Sequence, residues 1–123
     1  MKIAFDVDDT LIIPSVAQEG EYYKRTSPAD TPNFENIAVL RWFQAQGHDI
    51  IIWSGGGMDY AQMWGDKLGL MPFEVRVKQF DTDIAIAFDD CDVLLGAVNV
   101  KVKRLNNHVS RAHWNKHKHV DQP

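Results

Sequence analysis

Two aspartates one residue apart, Asp6 and Asp8, directly follow the apolar run that begins at Ile3, and Asp9 extends the acidic turn. A second acidic pair, Asp89 and Asp90, closes another apolar run, Ile84–Phe88. A carboxylate can act as a nucleophile, as a carrier of protons or as a hard oxygen ligand for a cation. Between the two acidic groups lie Ser54-Gly-Gly-Gly57, whose hydroxyl and unhindered backbone can approach an anion closely, and Lys78, which 10 residues separate from Asp89. Brought together, Asp6, Asp8, Asp89 and Asp90 repel one another unless a cation stands between them. Magnesium, which takes oxygen ligands and keeps several waters, relieves that repulsion and can join the acids to a phosphate.

Each of these groups stands at or beside the end of a segment with strand character. The run from Lys2 to Phe5 reads as a first buried strand, His48–Trp53 as a second, Phe73–Val77 as a third and Ile84–Phe88 as a fourth. Leu94–Val102, with Val98, Val100 and Val102 in alternation, reads as a fifth. Thr31 and Pro32 offer a cap and a first-turn proline for a helix that is apolar over a broad face, with Phe34, Ile37, Leu40, Trp42 and Phe43, until Gly47. A second helix spans about Asp59 to Leu68 and stops at Gly69. Strands alternating with helices predict a three-layer, Rossmann-like α/β fold with a mostly parallel five-stranded sheet, and right-handed crossovers then put ligands beyond the carboxyl ends of the strands. Trp42, Phe43, Trp53 and Trp64 are assigned to the core, and Cys91 is read as a small buried hydrophobe without a catalytic role.

The order, strand-end context and spacing of these groups resemble the haloacid dehalogenase-like superfamily over residues 2 to about 92. Its first motif is similar to Asp6-Val-Asp8-Asp9-Thr10-Leu11, its second to the segment ending in Ser54-Gly55, its third to Lys78 and its fourth to Asp89-Asp90. The resemblance implies a magnesium-dependent phosphomonoester hydrolase. Asp6 would be the nucleophile that forms an aspartyl-phosphate, and Asp8 the acid that protonates the leaving alcohol and then activates water. Ser54, the Gly55 backbone and Thr10 would serve the phosphate, and Lys78 would neutralise charge on nucleophile and phosphate. The metal would be held by Asp6, the carbonyl of Asp8, and the pair Asp89 and Asp90, with Asp90 as the direct ligand. Asp9 stands where the family often has Gly. Only 24 residues separate Asp8 from Asn33, and 23 separate Ser54 from Lys78, so neither insertion reaches the roughly 50 residues of a separate domain and no cap domain is expected.

With 123 residues and 45% hydrophobic side chains, the chain is expected to form a single domain, residues 1–123. One cysteine, no apolar run near the roughly 18 residues that span a bilayer, and acids close to the amino terminus lead to the expectation of a soluble, cytoplasmic protein without a membrane partner. Charge is unevenly spread: residues 1–100 hold 7 basic and 16 acidic side chains, a balance of −9, whereas residues 101–123 hold 6 basic and 1 acidic, a balance of +5. This basic tail, with His113 and His117 at i, i+4 spacing, either contacts a polyanion or is a solvated face. The segment 14–32, containing Tyr22, Tyr23, Lys24 and Arg25, is expected to be a flap that either stacks on a base or packs against the domain. An open site and a basic tail together favour a nucleotide or a nucleic-acid end as the phosphorylated substrate. The alternative is a catalytically idle phosphate- or nucleic-acid-binding protein on the same fold. Retention of both Asp6 and Asp8 favours the enzyme, because binding alone does not require the second acid.

Overall fold

The computed structural model describes residues 1–14 and 30–105. The flap proper and the histidine-bearing tail expected from the sequence lie outside the described residues. The main sheet contains β1 (Lys2–Asp6), β4 (Asp49–Trp53), β5 (Glu74–Val75), β6 (Ile84–Asp89) and β7 (Val98–Lys101), in the order β5-β4-β1-β6-β7. All four pairings are parallel. The strand holding Asp6 is therefore central. From it the chain winds outward through β4 to β5, then returns to the other side of β1 to place β6 and β7. The direction of winding reverses between β1 and β6, and a crevice opens at such a reversal, beyond the carboxyl ends of the strands.

Two helices link these strands, α1 (Phe34–Ala45) and α2 (Met58–Lys67). Leu40 of α1 and Ala61 and Trp64 of α2 join one core cluster with Ile3, Phe5, Ile50 and Ile52, so both helices cover the same face of the sheet. The opposite face gathers Ala4, Ile51, Trp53, Ile84 and Ala87 beneath Leu95. Among the described residues, this outer layer is the irregular segment from Asp90 to Ala97 rather than a helix. Side chains that alternate across a strand explain the division: Phe5 and Ile3 face the helices while Ala4 faces the other way. Burying a large apolar side chain contributes about 1.5–3 kcal/mol, which makes Ile3, Phe5, Leu40, Ile52 and Trp64 the main cohesive elements beneath the site.

Three boundaries differ from the expectation: β5 keeps only Glu74–Val75 of the expected Phe73–Val77, and the other two differ for local reasons. Thr31 and Pro32 do not cap α1; they form β3 and pair antiparallel with β2 (Ile12–Ile13), closing the base of the excursion that starts after Asp8. The cap is Asn33, whose side chain accepts from the Asn36 amide at 3.4 Å. β7 is shorter than Leu94–Val102 because the Asn99 side chain accepts from the Leu95 and Gly96 amides at 2.7 and 3.0 Å, tying that stretch into a turn before pairing begins. Trp42 is 57% exposed, a correction to its assignment to the core: the broad apolar face of α1 narrows to Ile37, Leu40 and Phe43. Among the described residues, no helix is long and apolar enough to cross a membrane.

Candidate active site

The site is built from strand ends. Asp6 is the last residue of β1, Ser54 follows β4, Asp89 is the last residue of β6, and Asp90 and Cys91 come next in the chain. Phe5 of β1 lies opposite Phe88 of β6, and the two rings stack on the helix-covered side with centroids 4.7 Å apart. Alternation along each strand then turns the next residues, Asp6 and Asp89, to the opposite side together. Asp6, Asp8, Ser54, Gly55, Gly56, Lys78, Asp90 and Cys91 line one cleft of about 100 Å³. The chain between Ser54 and Lys78 is taken up by α2 and β5, with no additional domain over the cleft from that segment.

Lys78, in the loop after β5, is the electrostatic centre. Its Nζ lies 2.6 Å from Asp89 Oδ2 and 3.1 Å from Asp6 Oδ1. Burial pushes the Asp6 carboxyl well above the usual carboxylate range; the Lys78 charge opposes that, while Asp89 and Asp90 add to it. The same order holds at Asp89, raised by burial against the pull of Lys78. Lys78 itself is held ionised: the two carboxylates outweigh its partial burial and raise its pKa. Three buried acids thus face one another with a single ammonium shared between two of them.

The remaining polar groups are fixed by short-range contacts. Tyr60, buried on α2, donates its hydroxyl to Asp8 Oδ1 at 2.6 Å. Ser54 Oγ accepts from the Gly56 amide at 3.0 Å, which orients the hydroxyl within the turn leading to α2. Gly57 ends that turn with φ 106°, a left-handed conformation that a side chain would strain. Asp9 has φ 64° in the turn after β1; aspartate tolerates this region better than most residues, and glycine would fit it as well. The Cys91 amide donates to Asp89 Oδ1 at 2.9 Å, and Arg104 Nε donates to Asp90 Oδ2 at 2.7 Å.

The cleft therefore brings together Asp6, Asp8, Ser54, Gly55, Lys78 and Asp90, with Asp89 tied in through Lys78. Thr10 does not line that cleft: it is fully buried, its carbonyl accepts from Asn36 Nδ2 at 2.9 Å, and its hydroxyl has no hydrogen-bond partner among the described residues. Asp92 pairs instead with Lys101 at 3.1 Å on the exposed surface. Three neighbours were not assigned to the site from sequence: Tyr60, Cys91 and Arg104. Tyr60 carried no local signal beyond its place on the first turn of α2. Cys91 could have been found from its adjacency to the acidic pair, whereas Arg104 reaches Asp90 only through the parallel pairing of β7 with β6.

The donor set is chemically suited to a hard divalent cation. Asp6, Asp89 and Asp90 could supply carboxylate oxygens; the raised affinity of Asp6 and Asp89 for protons comes first from burial, and the neighbouring acids add to it. Ligand atoms of Asp89, Asp90 and Cys91 lie within 4.8 Å of one another. A thiol is a poor ligand for magnesium, so within that group the two carboxylates are the relevant donors for such an ion. Compared with models of protein families, with curated proteins and with solved structures, the chain finds no match in any of the three.

Proposed function

We propose that the protein is a magnesium-dependent phosphomonoester hydrolase of the haloacid dehalogenase type that works through an aspartyl-phosphate on Asp6. The observation that carries this reading is the shared cleft: Asp6, Asp8, Ser54, Lys78 and Asp90 come from segments distant in sequence and line one opening at the reversal point of a parallel sheet. Asp6 Oδ attacks phosphorus, a new P–O bond forms, and the bond to the ester oxygen breaks. Asp8 gives its proton to the departing alkoxide. In the second displacement, Asp8 takes a proton from water as that water attacks the phosphoryl group, and the Asp6 carboxylate is released. Tyr60 orients Asp8 through its hydrogen bond, Ser54 and the Gly55 backbone receive phosphoryl oxygens, and Lys78 favours the ionised form of Asp6 against its burial and offsets phosphate charge. A bound magnesium ion, held by Asp6, the Asp8 carbonyl, Asp90 and, through water, Asp89, would supply further charge neutralisation. Among the described residues no separate cap domain stands between Ser54 and Lys78, and a nucleotide or a nucleic-acid end is the substrate class we favour.

Hydrolysis of p-nitrophenyl phosphate and of 5′- and 3′-phosphorylated oligonucleotides, with magnesium and with chelator, tests the proposal. Turnover is expected only with the metal and is lost in Asp6→Asn and Asp8→Asn. Metal-independent turnover, or turnover that survives Asp6→Asn, would overturn the mechanism. Phosphate binding without turnover on any of these substrates would favour the idle-binder alternative.

A further inference from the structure

Arg104 lies three residues beyond β7, and its guanidinium reaches Asp90, an acid only 3% exposed. Nε donates to Asp90 Oδ2 at 2.7 Å, and Nη2 lies 3.3 Å from Cys91 Sγ. None of the hydrolytic steps above uses this arginine. Its acceptor, however, is the acid best placed to ligate a cation directly, since Asp90 lines the cleft while Asp89 is engaged by Lys78 and the Cys91 amide. A carboxylate oxygen that accepts from a guanidinium has less electron density to offer a metal, and two positive centres on one carboxylate repel.

We infer that Arg104 is a resident counter-ion that competes with the divalent cation for Asp90 and is displaced from it when the cation binds. This rests on reading the cleft as a divalent-cation centre. Lys78 plays a different part: it bridges Asp6 and Asp89 at once, and its removal would strand two buried acids rather than free one. Arg104 engages one acid of the centre and keeps 24% of its side chain exposed, so water can take over its hydrogen bonds when it leaves. The arginine thus sets a threshold: Asp90 is compensated while the cation is scarce and becomes available once the cation outcompetes a single guanidinium.

Calorimetric titration of the whole chain with magnesium and with manganese tests this, using wild type, Arg104→Met, Arg104→Lys and Asp90→Asn. Arg104→Met is expected to bind both cations about tenfold more tightly, the scale of one hydrogen bond to a charged group. Arg104→Lys should fall between it and wild type, and Asp90→Asn should bind more weakly than either. In chelator, Arg104→Met should melt at a lower temperature than wild type and gain more from added magnesium. If that variant fails to fold, the Arg104→Lys titration decides the matter. Equal affinities in wild type and both arginine variants would overturn the competition alone. Weaker binding by Arg104→Met would also overturn it, making Arg104 a residue that orients Asp90 for the ion. No binding by wild type or any variant would overturn both the competition and the cation centre on which it rests.

Discussion

Replacing Lys78 with methionine keeps most of the side-chain volume and removes the ammonium that two buried carboxylates share. Asp89 Oδ2 lies 2.6 Å and Asp6 Oδ1 3.1 Å from Nζ, and the side chains of these acids are 4% and 6% exposed. Removing one partner of a buried ion pair costs about 3–5 kcal/mol, because the other charge is left in a medium that solvates it poorly. The Lys78 side chain keeps 20% of its surface, so some solvent already reaches the pair, and the lower end, about 3 kcal/mol, is expected at pH 8 in chelator. The loss should shrink toward pH 5. Burial raises the proton affinity of both carboxyls, and without Lys78 that effect loses its main opposition, the Cys91 amide at Asp89 remaining, so a proton can take the place of the lost cation as pH falls. Urea unfolding of wild type and Lys78→Met at the two pH values, with and without magnesium, measures each part. A loss below about 0.5 kcal/mol at pH 8, typical of an exposed pair, would refute the reasoning. So would a loss of equal size at both pH values. A large loss that magnesium partly restores would support a cation centre at the same carboxylates.

Asp6→Asn should abolish turnover yet stabilise the metal-free protein relative to wild type, increasingly as pH rises. The native state holds the Asp6 proton above the ordinary value of 3.8, so between that value and its raised one the folded chain binds more protons than the unfolded chain and wild type loses stability with pH; thermal melts in chelator from pH 4 to 8 check the divergence. Stabilisation by magnesium should grow over the same range, because the ion competes with those protons, and melts at fixed magnesium read it directly. Tyr60→Phe keeps the buried ring but removes the 2.6 Å hydrogen bond to Asp8, so stability should fall by about 1 kcal/mol and kcat should drop while KM stays close to wild type. Gly96→Ala should cost about 1–3 kcal/mol by urea unfolding, because its Cβ would lie 2.8 Å from the Ile84 carbonyl oxygen, where backbone rather than a pliable side chain must give way.

The strands were legible because parallel strands buried on both faces read as continuous apolar runs, and each run stops where its chemistry begins. Ile3–Phe5 into Asp6, Ile50–Trp53 into Ser54 and Ile84–Phe88 into Asp89 are all of this kind. The helix start was misplaced because Thr-Pro suits both a cap and a short edge strand; the pairing of Pro32 with Ile12 chose the latter, and that pairing is invisible in local sequence. Trp42 was misassigned because a helix with apolar residues on most sides does not declare which stripe meets the sheet. At the site, the carboxylates and Lys78 could be named, since each adjoins a strand end. Arg104 could not, because its proximity to Asp90 depends on β7 running parallel beside β6, which brings residues 14 positions apart into contact.

The same arrangement links the stability of the fold to the condition of the site. Phe5 and Phe88 stack on one side of adjacent strands, and the residue after each is a carboxylate on the other side, so the packing that holds β1 against β6 also forces Asp6 and Asp89 together. Core cohesion thereby supplies the free energy that crowds like charges into a buried place, and Lys78 and Arg104 return part of it by ion pairing. What remains uncompensated appears as the raised proton affinity of Asp6 and Asp89. A proton or a divalent cation could relieve it, and only the second would leave Asp6 ionised for the proposed attack on phosphorus. On the proposed reading, the cost that the fold bears at the carboxyl ends of β1 and β6 would be the source of affinity for a cation, so replacements that relieve it should stabilise the chain and abolish the proposed turnover at once.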